Sequence, residues 1–194
     1  MALAEPPKIL VFAGSIRTGS LSQKLANAAA KELALADANV TKISLADYPL
    51  PIYDGDLEKE KGIPENAMKL ARLIAANQGV FIATPEYNNS LPPLLKNAID
   101  WVSRIRESSG IHYRYRVFGL GSASDGRYGG ARALIDLRRV LSTAVRAVIV
   151  PDKVEISQAQ RAFNEAGELM DETYERLLKA VVTHMVDFAR RLAV

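Results

Sequence analysis

The feature that most constrains this chain is a repeated alternation. Short runs that are apolar at nearly every position are each followed by a longer stretch in which apolar residues recur every three or four positions. "KILVFAG" (residues 8–14) and "GVFIATP" (79–85) carry no polar face, and "ANVTKISL" (38–45), "YRVFGLG" (115–121) and "VRAVIVP" (145–151) read as further strands. A strand that is apolar on both faces must be covered on both, which is the condition of a parallel sheet between helical layers.

The intervening stretches supply those helices. Leu21, Leu25, Ala28, Ala29 and Leu33 share one stripe of a helix expected over 20–36. "PENAMKLARLIAAN" (64–77) gives the next, with Pro64 near its first turn. In residues 92–105, opened by Pro92 and Pro93, Leu94, Leu95, Ala98, Val102 and Ile105 fall at helical spacing. Residues 129–144 form a fourth helix. A long closing helix is marked by Met170, Tyr174, Leu177, Val181, Met185, Phe188 and Leu192. Five strands, each followed by a helix, with right-handed crossovers, predict an α/β fold. It is a doubly wound, flavodoxin-like parallel sheet of order 2-1-3-4-5 with helices on both faces.

The chain has 194 residues and no internal repeat, low-complexity segment or Gly/Ser linker. It is therefore expected to form a single domain over 1–194, burying roughly 70% of the surface its unfolded chain exposes. Hydrophobic residues make up 48%, as in globular proteins, yet no apolar run approaches the roughly 20 residues that span a bilayer. The opening "MALAEPPKILVFAG" has Glu5, Pro6 and Pro7 where a secretory leader carries basic residues. The expectation is a cytoplasmic protein with no membrane association.

Cysteine is absent, which excludes disulfides, thiolate nucleophiles and Cys-ligated metals, and two histidines are too few for a His-rich metal site. His184 reads as a structural residue among the apolar positions of the last helix, and His112 as an exposed loop residue. The net charge of +3 conceals an arginine-rich, tyrosine-bearing stretch over 103–116. It suits nucleic acid, an anionic ligand, a subunit contact or a solvated surface; the rest of the chain carries no matching basic face, so no nucleic-acid partner is expected.

In a sheet of this order, ligands bind outside the carboxyl ends of the strands, near the switch between strands 1 and 3. Three loops emerge there. In "VFAGSIRTGSLS" (11–22), Gly14 permits a sharp turn, and Ser20 is placed to cap the following helix. Backbone N–H groups with the hydroxyls of Ser15, Thr18, Ser20 and Ser22, and the charge of Arg17, suit a phosphate; an ordinary strand–helix turn is the blander reading. Gly14 and Gly19 match the glycines of G-x-x-x-x-G-K-[ST], but Ser20 and Leu21 replace its lysine and hydroxyl residue. G-x-G-x-x-G fails at Ile16. A terminal phosphate monoester remains.

In "TPEYNNSLPP" (84–93), Tyr87, Asn88 and Asn89 suit a flat aromatic ligand or a plain turn, and Glu86 suits a general base or, better, a loop-fixing or interface charge. In "GSASDGRYGGAR" (121–132), Gly126, Gly129 and Gly130 with Ser122 and Ser124 permit close backbone approach to a ligand or a mobile connection.

"GSIRTGSLS", "TPEYNNSLPPLLKNAIDW" and "SASDGRYGGARALIDLRRVL", in that order, resemble the NADPH-dependent FMN reductase family, which includes bacterial quinone and chromate reductases. The resemblance runs from Lys8 to about Asp171 and is carried mainly by "PEYN" with "LKNAIDW". It implies that Ser15, Arg17, Ser20, Leu21 and Ser22 bind the phosphate of FMN. It further implies that Pro85, Glu86, Tyr87 and Asn88 border the isoalloxazine ring and that Ser122 approaches its other edge. Relatives often have Asn in place of Ser22, and often no acid at Asp125, which would either face the ring or cap a turn.

The implied activity is ping-pong transfer of hydride from NADPH or NADH through FMN to a quinone or another electron-poor small molecule, chromate and azo compounds included. No side chain would act as a catalytic group, because bound FMN carries the chemistry. A flavodoxin-type electron carrier without its own NAD(P)H site is the alternative. Arg17, Arg127 or an arginine of 104–116 would meet the 2′-phosphate of NADPH. The family's assembly implies a homodimer or homotetramer, with residues 92–106 and the arginine-rich segment as contact surfaces.

Overall fold

The computed structural model describes residues 5–105, 113 and 115–192. His112, Arg106 and Arg114 of the arginine-rich stretch lie outside the described residues. Five strands, β1 (Lys8–Ala13), β2 (Asn39–Lys42), β3 (Gly79–Thr84), β4 (Val117–Ala123) and β5 (Val148–Ile156), form one sheet of order β2-β1-β3-β4-β5. Every strand pair is parallel. The helices are α1 (Leu21–Leu35), α2 (Gly55–Lys61), α3 (Glu65–Ala76), α4 (Pro93–Ser103), α5 (Ala131–Arg139) and α6 (Glu172–Leu192).

The apolar strands divide their side chains between two cores, as the period of two requires. Ile9, Val11 and Phe81 face α1 and α6, meeting Leu25, Leu33, Val181 and Met185. Leu10, Val80, Ile82 and Phe118 face α3, α4 and α5, meeting Leu70, Leu95, Trp101 and Leu137. The indole of Trp101, fully buried, donates to Pro51 O at 2.7 Å, and Asn97 holds the same loop through Pro51 O and Tyr53 N at 2.8 Å each. Among the described residues, no helix is long and apolar enough to cross a membrane.

Four features depart from the sequence pattern. α2 is an additional short helix, capped by Asp54 and without a single buried residue, so no apolar periodicity could mark it. β5 runs five residues beyond Pro151. Phe118 pairs with Ile149 but Leu120 with Lys153, and the slip falls where proline has no N–H to give the ladder. Arg138 Nη2 satisfies the carbonyls there, donating to Val150 O at 2.9 Å and Pro151 O at 3.3 Å.

The buried stripe of α6 is Leu178, Val181, Val182, Met185, Val186 and Ala189. Met170, Leu177 and Leu192 are exposed, so the expected stripe is correct through its middle and wrong at those positions. His184, expected among the apolar positions, lies on the exposed side of α6, its ring 6.4 Å from that of Phe188 and its Nδ1 paired with the carboxylate of Asp152 on β5. In the arginine-rich stretch, Tyr113 is buried beside Phe118, and burial pushes its phenol well above the ordinary tyrosine value. Arg104 pairs with Glu58, and Arg116 Nη2 donates to Ala75 O at 2.7 Å.

Candidate functional site

The first loop leaves β1 at Gly14, whose N–H continues the sheet to Ala83 O at 2.8 Å. A Cβ at Gly14 would come within 3.1 Å of Leu95, so helix α4 packs directly under the turn. Ser20 caps α1, accepting from Gln23 N at 3.1 Å, as expected from its position. Ser15 Oγ accepts from Arg17 N at 3.3 Å, and Ser20 and Ser22 join their hydroxyls at 2.9 Å. All three serines are buried, so they chiefly shape the loop from within.

What faces outward is Ile16, Arg17, Thr18 and Gly19. The N–H groups of Thr18, Gly19, Leu21 and Ser22 meet no acceptor among the described residues. They sit at the positive end of a 15-residue helix. Arg17 makes no ion pair among the described residues. A cluster of unpaired amides at a helix N-terminus beside an arginine is an anion cradle.

The second loop begins with Thr84, whose hydroxyl donates to Pro85 O at 2.9 Å. Tyr87 and Ser90 exchange two backbone hydrogen bonds of 3.0 Å around Asn88 (φ +50°) and Asn89 (φ +64°). Asparagine tolerates this left-handed conformation better than other non-glycine residues, so a tight turn follows from the pair. Tyr87 is 47% exposed, leaving its ring free to face a ligand or a neighbouring chain. Glu86 Oε2 accepts from the N–H groups of Arg132 at 3.0 Å and Ala133 at 3.1 Å, which ties this loop to the start of α5. Of the two roles open to Glu86 in the sequence, this geometry is that of a loop-fixing charge.

The third loop follows β4. Ser122 is fully buried and its hydroxyl donates to Gly129 O at 2.6 Å, so its side chain is turned into the loop. Asp125 Oδ1 accepts from Gln160 N at 3.3 Å and fixes the chain beyond β5, which is the turn-holding alternative. Arg127 and Tyr128 are exposed, and the guanidinium of Arg132 lies 4.6 Å from the Tyr128 ring centroid.

The three loops are neighbours because their strands are. Ala13 is opposite Ala83, and Ala83 opposite Gly121, so adjacent strand ends lie only about 5 Å apart. A cleft of about 410 Å³ flanks the first loop on its β2 side, lined by Ser15, Gln23, Lys42, Ser44 and Asp47 among others. A smaller cavity of about 180 Å³ between α1 and α6 is remote from the loops and is bordered by Lys31 and Glu168, which form an ion pair. Among the described residues, no three histidine or carboxylate side chains are grouped to hold a metal.

The three loops, the amides at the start of α1 and Arg17 were legible in the sequence. Backbone N–H groups are expected there together with the hydroxyls, of which those of Ser15, Ser20 and Ser22 are buried, and nothing in the sequence pairs Glu86 with residues 132 and 133. The single available signal was Gly130, which stands before α5 without a side chain to cap it.

The model of a family described as NADPH-dependent FMN reductase matches residues 7–161. An NAD(P)H-dependent FMN reductase of Pseudomonas aeruginosa is 34% identical over 191 residues, covering 98% of this chain and 99% of the relative. A quinone reductase of Escherichia coli is 32% identical over 196 residues, covering 99% and 100%. Among solved structures, the flavoenzyme NAD(P)H:(acceptor) oxidoreductase FerB of Paracoccus denitrificans superposes with a TM-score of 0.78. It is 29% identical, with 95% of this chain and 98% of the other covered.

Proposed function

Because this chain belongs to the NADPH-dependent FMN reductase family, we propose that it is an NAD(P)H-dependent flavin reductase that passes electrons to quinones or similar electron-poor molecules. The observation that carries the reading is the set of unpaired amides of Thr18, Gly19, Leu21 and Ser22, at the strand switch point of the sheet, beside Arg17, which has no carboxylate partner among the described residues. That donor set fits a phosphate monoester such as that of FMN, which needs several N–H groups and one cation rather than a lysine–magnesium pair.

In this assignment the amides of the first loop and Arg17 hold the phosphate of FMN. Ser15, Ser20 and Ser22 keep those amides converged, and Leu21 starts the helix. Pro85, Glu86, Tyr87 and Asn88 border the flavin ring, and the glycine-rich third loop approaches its other edge from beyond Ser122. When bound, the flavin accepts hydride from a nicotinamide and gives up the electrons to the acceptor. The chain's own residues bind and orient it.

Quinones are proposed as acceptors because relatives covering nearly the whole chain are named for them. One domain, a homodimer or homotetramer, and a cytoplasmic location complete the proposal. Sedimentation as a monomer at micromolar concentration would count against the assembly.

The test is a visible spectrum of the purified protein after FMN is added and the excess removed, followed by NADPH under anaerobic conditions. Retained flavin absorbance that bleaches, and returns with added benzoquinone, is the expected result. Flavin that stays oxidised identifies an electron carrier instead, and no retained flavin refutes the cofactor assignment. Arg17→Ala should weaken FMN binding by about ten- to a hundredfold, the scale of a charge-assisted hydrogen bond.

A further inference from the structure

Helix α5 lacks a cap of its own. Gly130 occupies the N-cap position with φ +84° and no side chain to offer the first amides of the helix. A larger residue has no room there: a Cβ would stand 2.8 Å from Ser122 Cβ and 3.0 Å from Ser122 Oγ. The missing acceptor comes from another loop. Glu86 Oε2 takes the N–H groups of Arg132 and Ala133, the second and third residues of α5. Those are the amides that an N-cap side chain ordinarily serves, and a carboxylate also meets the positive end of the helix.

Two further ties join the same partners. Ser90 Oγ donates to Asp136 Oδ2 at 2.6 Å, and Arg132 Nη1 donates to Asn89 Oδ1 at 3.2 Å. Between Glu86 and Ser90 the chain is closed into a tight turn by the reciprocal Tyr87–Ser90 bonds. The loop therefore has little freedom of its own. Its placement over the sheet follows that of α5.

We propose that Glu86 is a positioning residue for the flavin ring. By capping α5 from the neighbouring loop, it holds the Pro85–Asn88 backbone as a fixed edge against which the ring rests. This rests on the flavin reading given above and deepens it. Glu86 acts through the backbone, not by exchanging protons with substrate. A glutamine there retains a carbonyl oxygen that can accept the same two N–H groups, whereas an alanine retains nothing.

The experiment compares wild type, Glu86→Ala, Glu86→Gln and Ser90→Ala. The readouts are the FMN dissociation constant from fluorescence quenching, visible circular dichroism of the bound flavin, and thermal unfolding of the flavin-free protein. Glu86→Ala should bind FMN about tenfold more weakly, the scale of one lost cap, with an altered flavin dichroism. Glu86→Gln should restore both to within about threefold of wild type. Ser90→Ala, which breaks a single tie, should shift both in the same direction by less, and it carries the test if Glu86→Ala does not fold.

Unchanged FMN affinity and dichroism in Glu86→Ala, whatever its stability, would make Glu86 a helix cap and nothing more; the same result in Ser90→Ala serves if the first variant is lost. Wild-type protein that takes up no FMN refutes the flavin reading and this inference together. Wild-type binding with unaltered variants refutes the inference alone.

Discussion

Replacing Gly129 by alanine should be among the more damaging single-methyl changes in this protein, and a second glycine separates the two reasons. Gly129 has φ +59°, and a Cβ would lie 2.9 Å from Ser157 N, 3.0 Å from Ile156 C and 3.2 Å from Glu155 C. All three are main-chain atoms at the end of β5 and cannot swing aside as a side chain would. Gly19 has a similar φ of +68° but nothing within 4 Å of its Cβ position. Alanine in the left-handed region costs about 1–2 kcal/mol, so Gly19→Ala should lose that much stability and no more. Gly129→Ala adds overpacking of about 1–3 kcal/mol, for a total of about 2–5 kcal/mol. At about 2–4 °C per kcal/mol for a chain of this length, Tm should fall by about 4–20 °C for Gly129→Ala and about 2–8 °C for Gly19→Ala. The assays are urea unfolding for the free energy and thermal unfolding for Tm, both on flavin-free protein, so that ligand binding does not add to the measured stability. Equal losses in the two variants would refute the steric contribution. Wild-type stability in Gly129→Ala would refute the backbone argument as well.

Ser122→Ala should cost about 1–3 kcal/mol in the same assay, because it leaves the carbonyl of the buried Gly129 without its 2.6 Å donor; a loss under about 0.5 kcal/mol would show that the bond is dispensable. Gly119→Ala places a methyl against Met185, 2.0 Å from Sδ and 2.8 Å from Cγ, while Met185→Ala empties a fully buried site. Separately they should cost about 1–3 and 2–5 kcal/mol, and the double variant should fall short of their sum by about 1 kcal/mol or more because the methyl enters the vacated space. Strict additivity in a double-mutant cycle would contradict that packing. Hydrogen bonds from Asn164, then Lys31, hold the Glu168 carboxyl below its ordinary value, so its stabilisation is present above the ordinary carboxylate value and disappears as pH falls through the lowered one. Being exposed, it contributes little, and the Tm gap between wild type and Glu168→Gln should narrow as pH falls below the ordinary carboxylate value. A gap that is constant with pH would rule out the carboxylate's charge as its source.

Much of the fold was legible because it is written in local periodicity. Runs such as 79–85, apolar at nearly every position, specify strands buried on both faces, and the right-handedness of crossovers reduces their arrangements to few. The failures have equally local causes. Pro151 reads as a strand end, yet an arginine on α5 satisfies the carbonyls there and β5 continues to Ile156. Leu177 and Leu192 fit the helical spacing of α6 but lie at the flank of its buried face. His184 sits in an apolar stretch of sequence, and only the approach of β5 gives it Asp152 as a partner.

The candidate site divides in the same way. The sequence alone determined that three glycine- and hydroxyl-bearing loops leave adjacent strand ends, since strand order and loop composition are both properties of short segments. Ser20 as a helix cap could be read directly, because a cap and its amide are three residues apart. Which atoms those loops present was decided by tertiary structure. The side chains of Ser15, Ser20 and Ser22 are buried against neighbouring hydroxyls and amides, while the amides of Thr18, Gly19, Leu21 and Ser22 meet no acceptor among the described residues. The bond from Glu86 to the start of α5 spans 46 and 47 residues of chain. Such a partnership has no periodicity to betray it; it exists only because the parallel sheet sets the end of β3 beside the end of β4.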